Sequence, residues 1–272
     1  MQGRENDTQR RSKAEEDIME ESTKPDLGLW RALWHFVLNT MSWFLVQVVR
    51  ISTTTGWILF SGIGGFIIFL DMVRMLSNRK QKADGKGWGW LHPKAFQFIL
   101  RVGKAFEDSG IIRKKEHESL SAGAMNIAGM GLVWMCFSDQ PWIVANVLLW
   151  LGLGDPAARI FSLHFGAKPN KWLLQKSVIG CTYFLGFGTL GTLLTWICHV
   201  LGATIYPGVE VFGFTLMQMS PGILFLALAA GLTIAMLVEV YSEAFESPKN
   251  FIHGWDNLLI PFVSALVLGL FV

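Results

Sequence analysis

Residues 142–166 read WIVANVLLWLGLGDPAARIFSLHFG, an apolar run that passes without a break into Asp155, Pro156, Arg159 and His164. An ionisable group at membrane depth costs at least ~2.5 kcal/mol by insertion scales, so a carboxylate, a guanidinium and an imidazole at the end of such a run mark a place where a buried helix meets polar chemistry. Pro156 is suited to a first helical turn, so Pro156-Ala157-Ala158-Arg159 is expected to open a new helix with Asp155 as its N-cap. A bare N-cap would explain an isolated Asp-Pro by itself. Here, however, Gly152, Gly154, Ala157 and Ala158 leave little bulk around the carboxylate, so that a phosphate or a metal ion could approach the backbone.

The rest of the chain sets the environment of this stretch. Of 272 residues 51% are hydrophobic and 16% charged, with mean hydropathy +0.39, the profile of an integral membrane protein. A membrane core of ~30 Å needs about 20 helical residues. Apolar runs of that order fall at 32–50, 56–76, 120–137, 141–154, 177–201, 215–238 and 257–272. The expected fold is therefore all-α, a polytopic transmembrane bundle of about seven helices. The fourth and seventh runs are short and flanked by polar motifs, which predicts helices ending in a protein-lined pocket.

Residues 1–27 are polar and of mixed charge, without the apolar core and cleavage site of a signal peptide, and are expected to form a disordered tail. Residues 28–272 then form one membrane domain. Within it, 77–119 is a basic cytosolic or interfacial segment whose amphipathic stretch PKAFQFILRVGKAF is expected to lie along the membrane surface. Lys and Arg number six through Arg31, ten in 77–119, four in 155–176 and one in 239–256, whereas only Arg50 lies on the opposite connections. The positive-inside rule puts those four regions, and Asp155 with them, on the cytosolic face.

A net charge of +2, with the basic residues in loops between apolar runs, excludes nucleic acid as a partner. Cys136, Cys181 and Cys198 all lie in apolar runs without a C-x-x-C or Cys/His cluster. They indicate neither a disulfide framework nor a metal site and read as small buried hydrophobes.

Further polar residues share the predicted face. Lys168, Lys171 and Lys176 follow Asp155 within about twenty residues, and Lys176-Ser177 opens an apolar helix whose free N–H groups favour an anion. A snorkelling interfacial Lys is the simpler reading of Lys176 alone. Glu239 and Glu243 are four apart and share a helical face, Asp256-Asn257 opens the last run, and Asp71 and Arg74 have the i, i+3 spacing of a pair. A carboxylate to hold Mg²⁺ or take a hydroxyl proton, with cations to neutralise phosphate oxygens, is the mixture that phosphoryl transfer needs. No G-x-x-x-x-G-K-[ST] loop is present, which argues against a P-loop enzyme.

Together these motifs resemble the CTP-dependent lipid kinases (diacylglycerol kinase, dolichol kinase and phytol kinase), which are related to phosphatidate cytidylyltransferase. Asp155, Ala157, Ala158 and Gly166 are similar to the family's D-x-A-A-x-x-x-G-x-x-x-G, with Ser162 where a Gly is usual and Arg159 where a small residue is usual. Lys176, Ser177 and Gly180 resemble its K-S-x-x-G. Glu243 and Asp256-Asn257-Leu258-Leu259-Ile260-Pro261 resemble its closing E and D-D-N-x-T-x-P, with Trp255 and Leu259 replacing the first Asp and the Thr. Arg113-Lys114-Lys115-Glu116-His117 is similar to the basic segment of the diacylglycerol kinase branch, and Arg31 with His35 to an R-K-x-x-H element.

The resemblance implies transfer of the γ-phosphate of CTP to the hydroxyl of a membrane lipid, diacylglycerol favoured over a polyprenol such as dolichol or phytol. It implies Asp155, Lys176 and Asp256 as catalytic residues and Mg²⁺ or another divalent cation on Asp155, Glu243 and Asp256. It also implies nucleotide contacts from Ala157, Ala158, Gly166, Lys168, Ser177, Gly180, Asn257 and the Arg113 to Lys115 segment. A cytosol-facing site is compatible with the endoplasmic reticulum membrane of a eukaryote or the inner membrane of a bacterium. A cytidylyltransferase-like enzyme and a non-catalytic membrane relative remain open alternatives, and the residues do not indicate an oligomeric state.

Overall fold

The computed structural model describes residues 26–84, 93–109, 112, 116–117, 119–173, 176–205, 220–242 and 255–271. The expected tail falls almost wholly outside them, and the first helix already begins at Asp26. Among the described residues the chain is helical and has no strand. The helices are α1 (Asp26–Phe44), α2 (Gly64–Asp84), α3 (Pro93–Asp108), α4 (Ala122–Phe137), α5 (Pro141–Leu149), α6 (Asp155–His164), α7 (Val178–Ile205), α8 (Pro221–Tyr241) and α9 (Trp255–Gly269).

Wider π-type stretches prolong several of them. Leu45–Val49 extends α1, Trp57–Ile63 leads into α2, and Trp150–Gly154 joins α5 to α6. Arg50, in the left-handed region at φ 56°, ends the first rod by returning its N–H to the Leu45 carbonyl, and Ser52 then caps the next turn through the Thr55 N–H.

Five helical segments are long and apolar enough to cross a membrane: Leu29–Val49, Thr53–Arg79, Pro141–His164, Val178–Leu201 and Pro221–Tyr241. Two more, Ala122–Phe137 and Trp255–Gly269, are apolar but shorter. The chain is a multi-pass membrane protein and an all-α bundle, with five helices among the described residues long enough to cross in place of the seven expected.

The fourth run departs from expectation. It does not stop at residue 154, because Gly154 and Asp155 both keep right-handed helical dihedrals, and Asp155 is not an N-cap. Pro156 lacks an N–H and would clash with the carbonyl four residues back in a regular helix; the wider stretch just before it absorbs both effects, so the rod runs on to His164. This rod is the hub. Inside the protein 72% of its span is buried, against 22–33% for the other four, and α1, α4, α7 and α9 pack around it. Trp142, Ile143, Leu148, Trp150 and Leu151 fill the core with Trp134 from α4 and Phe184 from α7.

The rod ends in a Schellman motif. Gly166, at φ 56°, donates to the Leu163 carbonyl, and the Ala167 N–H reaches back to Ser162.

Candidate functional site

The start of α1, the α6 part of the hub, the start of α7, the end of α8 and the start of α9 meet at one end of the bundle. They enclose a cleft of about 290 Å³. Asp155, Glu239 and Asp256 line it as carboxylates, and Arg31, Arg159 and Lys176 as cations. Residues from five separate helices therefore converge; Arg31, Lys176, Glu239 and Asp256 arrive near helix ends, whereas Asp155 and Arg159 project from within the hub rod.

Asp155 projects from α6 towards α1, where Oδ2 lies 3.4 Å from Nδ1 of the buried His35. One turn earlier, Arg31 is also buried and donates from Nη1 to Oε1 of Glu116 at 3.0 Å. The other Glu116 oxygen accepts the Ala122 N–H at the start of α4. Arg31 thus ties α1 to α4, while the negative charges of Asp256 and Asp155 also act on it.

On the far wall, Lys176 Nζ meets Oε1 of Glu239 at 2.6 Å and joins the approach to α7 to the end of α8. Oε2 of Glu239 is buried without a hydrogen-bond partner, and Asp155 and Asp256 are near enough to repel it. Asp256 sits in the first turn of α9, where Oδ1 accepts from the backbone and side-chain nitrogens of Asn257 at 3.0 and 2.8 Å.

Ser177 is the N-cap of α7. Its Oγ accepts the Gly180 N–H at 2.9 Å and shares a 2.7 Å hydrogen bond with the Ser162 hydroxyl, binding α6 to α7. A Cβ on Gly180 would lie 2.7 Å from Ser162 Oγ, so any larger residue there must displace the Ser162 hydroxyl. Ser162, where a Gly is usual in the resemblance, has a packing role of its own through its bond to Ser177.

Of the residues singled out in the sequence, Asp155, Ala158, Lys176, Ser177, Gly180 and Asp256 line the cleft. Ala157 and Asn257 are buried behind it. Gly166 forms the helix stop, and Lys168 lines an adjoining outer groove of about 480 Å³ that shares Ala167 and Ser177 with the cleft. Glu243 and Arg113 to Lys115 lie outside the described residues. The small residues before Asp155 do not clear space for a ligand: a Cβ on Gly152 would meet Asn39 and Thr40 of α1, and one on Gly154 would meet Phe184. Asp71 and Arg74 do pair, at 2.7 Å. The cysteines are not the buried hydrophobes expected: Cys136 is exposed, Cys181 and Cys198 are half-buried, and Cys181 lines the cleft.

Sequence reasoning passed over Glu239 in favour of Glu243. Their four-residue spacing alone does not separate them; the distinguishing signal was that Glu239 directly follows the apolar run 215–238. Glu116 as the partner of Arg31 was not readable either, since 85 residues separate them.

Among the described residues no three His, Cys, Asp or Glu side chains cluster closely enough to hold a metal ion by themselves. The donor set suits a hard cation shared with a ligand, because Mg²⁺ is commonly bound by one or two carboxylates together with substrate phosphates. Three carboxylates and three cations line the cleft, and the buried, unpartnered Oε2 of Glu239 is an acceptor that such a cation would satisfy.

The fold and the site define a multi-pass, all-α membrane protein with a charged cleft at one end of its bundle. Compared with known proteins, the chain matches no family model, no curated protein and no solved structure.

Proposed function

We propose that this protein is a CTP-dependent lipid kinase, which transfers the γ-phosphate of CTP to the hydroxyl of a membrane lipid, diacylglycerol first, and releases CDP. The observation that carries the reading is the convergence of Asp155, Lys176, Ser177, Gly180 and Asp256, from three distant segments, on one cleft between apolar helices. Resemblance to the family supplies the nucleotide and the class of acceptor.

In this reading the lipid enters between helices with its hydroxyl at the cleft. The hydroxyl oxygen bonds to the γ-phosphorus, the bond to the β,γ-bridging oxygen breaks, and the proton passes to a cleft carboxylate. Asp155, held by His35, positions that hydroxyl or shares a divalent cation with Asp256. Such a cation would neutralise phosphate charge. Lys176 contacts phosphate on exchanging part of its bond to Glu239, the N-terminus of α7 faces the same anion, and Lys168 extends the positive rim into the outer groove. The test is phosphate transfer from γ-labelled CTP, with labelled ATP as control, to diacylglycerol, dolichol and phytol in micelles. CDP as the product supports the kinase; pyrophosphate selects the cytidylyltransferase-like alternative.

A further inference from the structure

A second cavity, of about 460 Å³, lies between α2, the amphipathic α3 and the start of α4. Phe98, Ile99, Val102 and Phe106 form the apolar face of α3 that closes it, while Lys94, Arg101 and Lys104 occupy its other faces. At Gly103 the two helices touch, for a Cβ there would lie 2.8 Å from Arg74 Cδ. Away from that point the walls part.

The charged groups at the closed end are already engaged. Arg74 donates to Asp71, Glu107 and the carbonyls of Glu116, His117 and Ser119, and the second oxygen of Asp71 accepts the Ser121 N–H. Little remains to hold ordered water, and a space of this size without contents forfeits dispersion contacts along all its walls. Its mouth is apolar and outward-facing: Phe66, within the membrane-crossing segment Thr53–Arg79, is 60% exposed, and Phe98 is 66% exposed. The cavity therefore continues into the surface that faces lipid. Its inner wall carries Trp34, one turn from the Arg31 of the charged cleft.

We propose that this cavity is a binding site for one hydrocarbon chain of a membrane lipid with an uncharged head, the chain entering past Phe66 and Phe98 and the head directed to Trp34. An uncharged head follows because the ions at the closed end are engaged with one another: Arg74 is held by both Asp71 and Glu107, and among the described residues lining the cavity no cation is left to take an anionic head. A volume of this order is within the usual range for small-ligand sites, about 300–1,000 Å³. The inference stands on the cavity alone and does not depend on phosphoryl transfer.

The experiment uses the full chain in nanodiscs doped with a diacylglycerol bearing a diazirine in mid-chain, photolysed and mapped by peptide mass spectrometry. Labelling of α2, α3 and α4 at the cavity is expected to saturate with probe and to fall on addition of unlabelled diacylglycerol but not phosphatidylserine. Labelling at lipid-facing Phe225 on α8 should rise in proportion to probe. Val102→Trp, which fills the space, should lose most of the cavity label, and Lys104→Trp on another face of α3 should keep it. Cavity labelling that never saturates, or that survives Val102→Trp, would overturn the proposal. So would an unlabelled cavity, which would mean that the chain itself fills the space, and equal displacement by phosphatidylserine would overturn the uncharged head.

Discussion

Lys176 and Glu239 join two helices across 63 residues of sequence, and neither charge is well solvated. Removing one partner strands the other, so Lys176→Met and Glu239→Gln should each lower the melting temperature in detergent. The double variant should lose less than the sum, with a coupling of about 0.5–3 kcal/mol in a double-mutant cycle. Additive losses would mean that the pair contributes nothing. Gly180 makes a sharper test of geometry. Gly180→Ala should destabilise by about 1–3 kcal/mol, the usual cost of overpacking, because its methyl group would meet the Ser162 hydroxyl. Ser162→Ala should recover part of that loss, as read by thermal unfolding. These side chains were partly legible in the sequence: Asp155, Lys176, Ser177 and Asp256 stand out because charge or a cap interrupts apolar runs. Their contacts were not: His35 stands in a motif of the resemblance, but that it meets Asp155, as that Glu116 meets Arg31, depends on packing far along the chain that no local spacing encodes.

At the level of elements, hydropathy placed the apolar helices within a few residues because a membrane core demands length and apolarity before anything else. It failed at Asp155-Pro156. A proline after two glycines reads as a break, whereas a single wider turn carries the rod past it, and only the packing of α1 and α7 against Gly152 and Gly154 explains those small residues. Small residues also set the crossing of α4 with α9, since a Cβ on Gly129 would lie 2.8 Å from the Asn257 carbonyl and 2.6 Å from Pro261. A backbone oxygen cannot turn aside as a side chain can. Gly129→Ala is therefore expected to push α9 outward, cost about 1–3 kcal/mol and lower any activity that depends on Asp256 at its first turn. Thermal unfolding and assay of the same preparation check this, and wild-type behaviour in both would contradict the close approach.

Among the described residues the molecule is a bundle around one buried rod, with a charged cleft at one end. The hub separates the turn at Asp139 from the loop at Lys168, so single cysteines there, in a background lacking Cys136, Cys181 and Cys198, should react with a membrane-impermeant maleimide from opposite sides. Lys168→Cys is expected to label from the cytosol, and labelling of both from one side would refute the arrangement. The Lys and Arg counts predict this orientation, while the cleft could not be read from them, because its walls come from five helices. The most direct measurement is transfer of phosphate from γ-labelled CTP by the purified wild type and Asp155→Asn, each offered diacylglycerol, dolichol and phytol. Transfer from CTP to one of these lipids, reduced about 10²–10⁴-fold in the variant as loss of a positioned acid–base or charge-bearing group implies, is the predicted result. Transfer to none of the lipids, or transfer unchanged by Asp155→Asn, would contradict the kinase reading of the cleft.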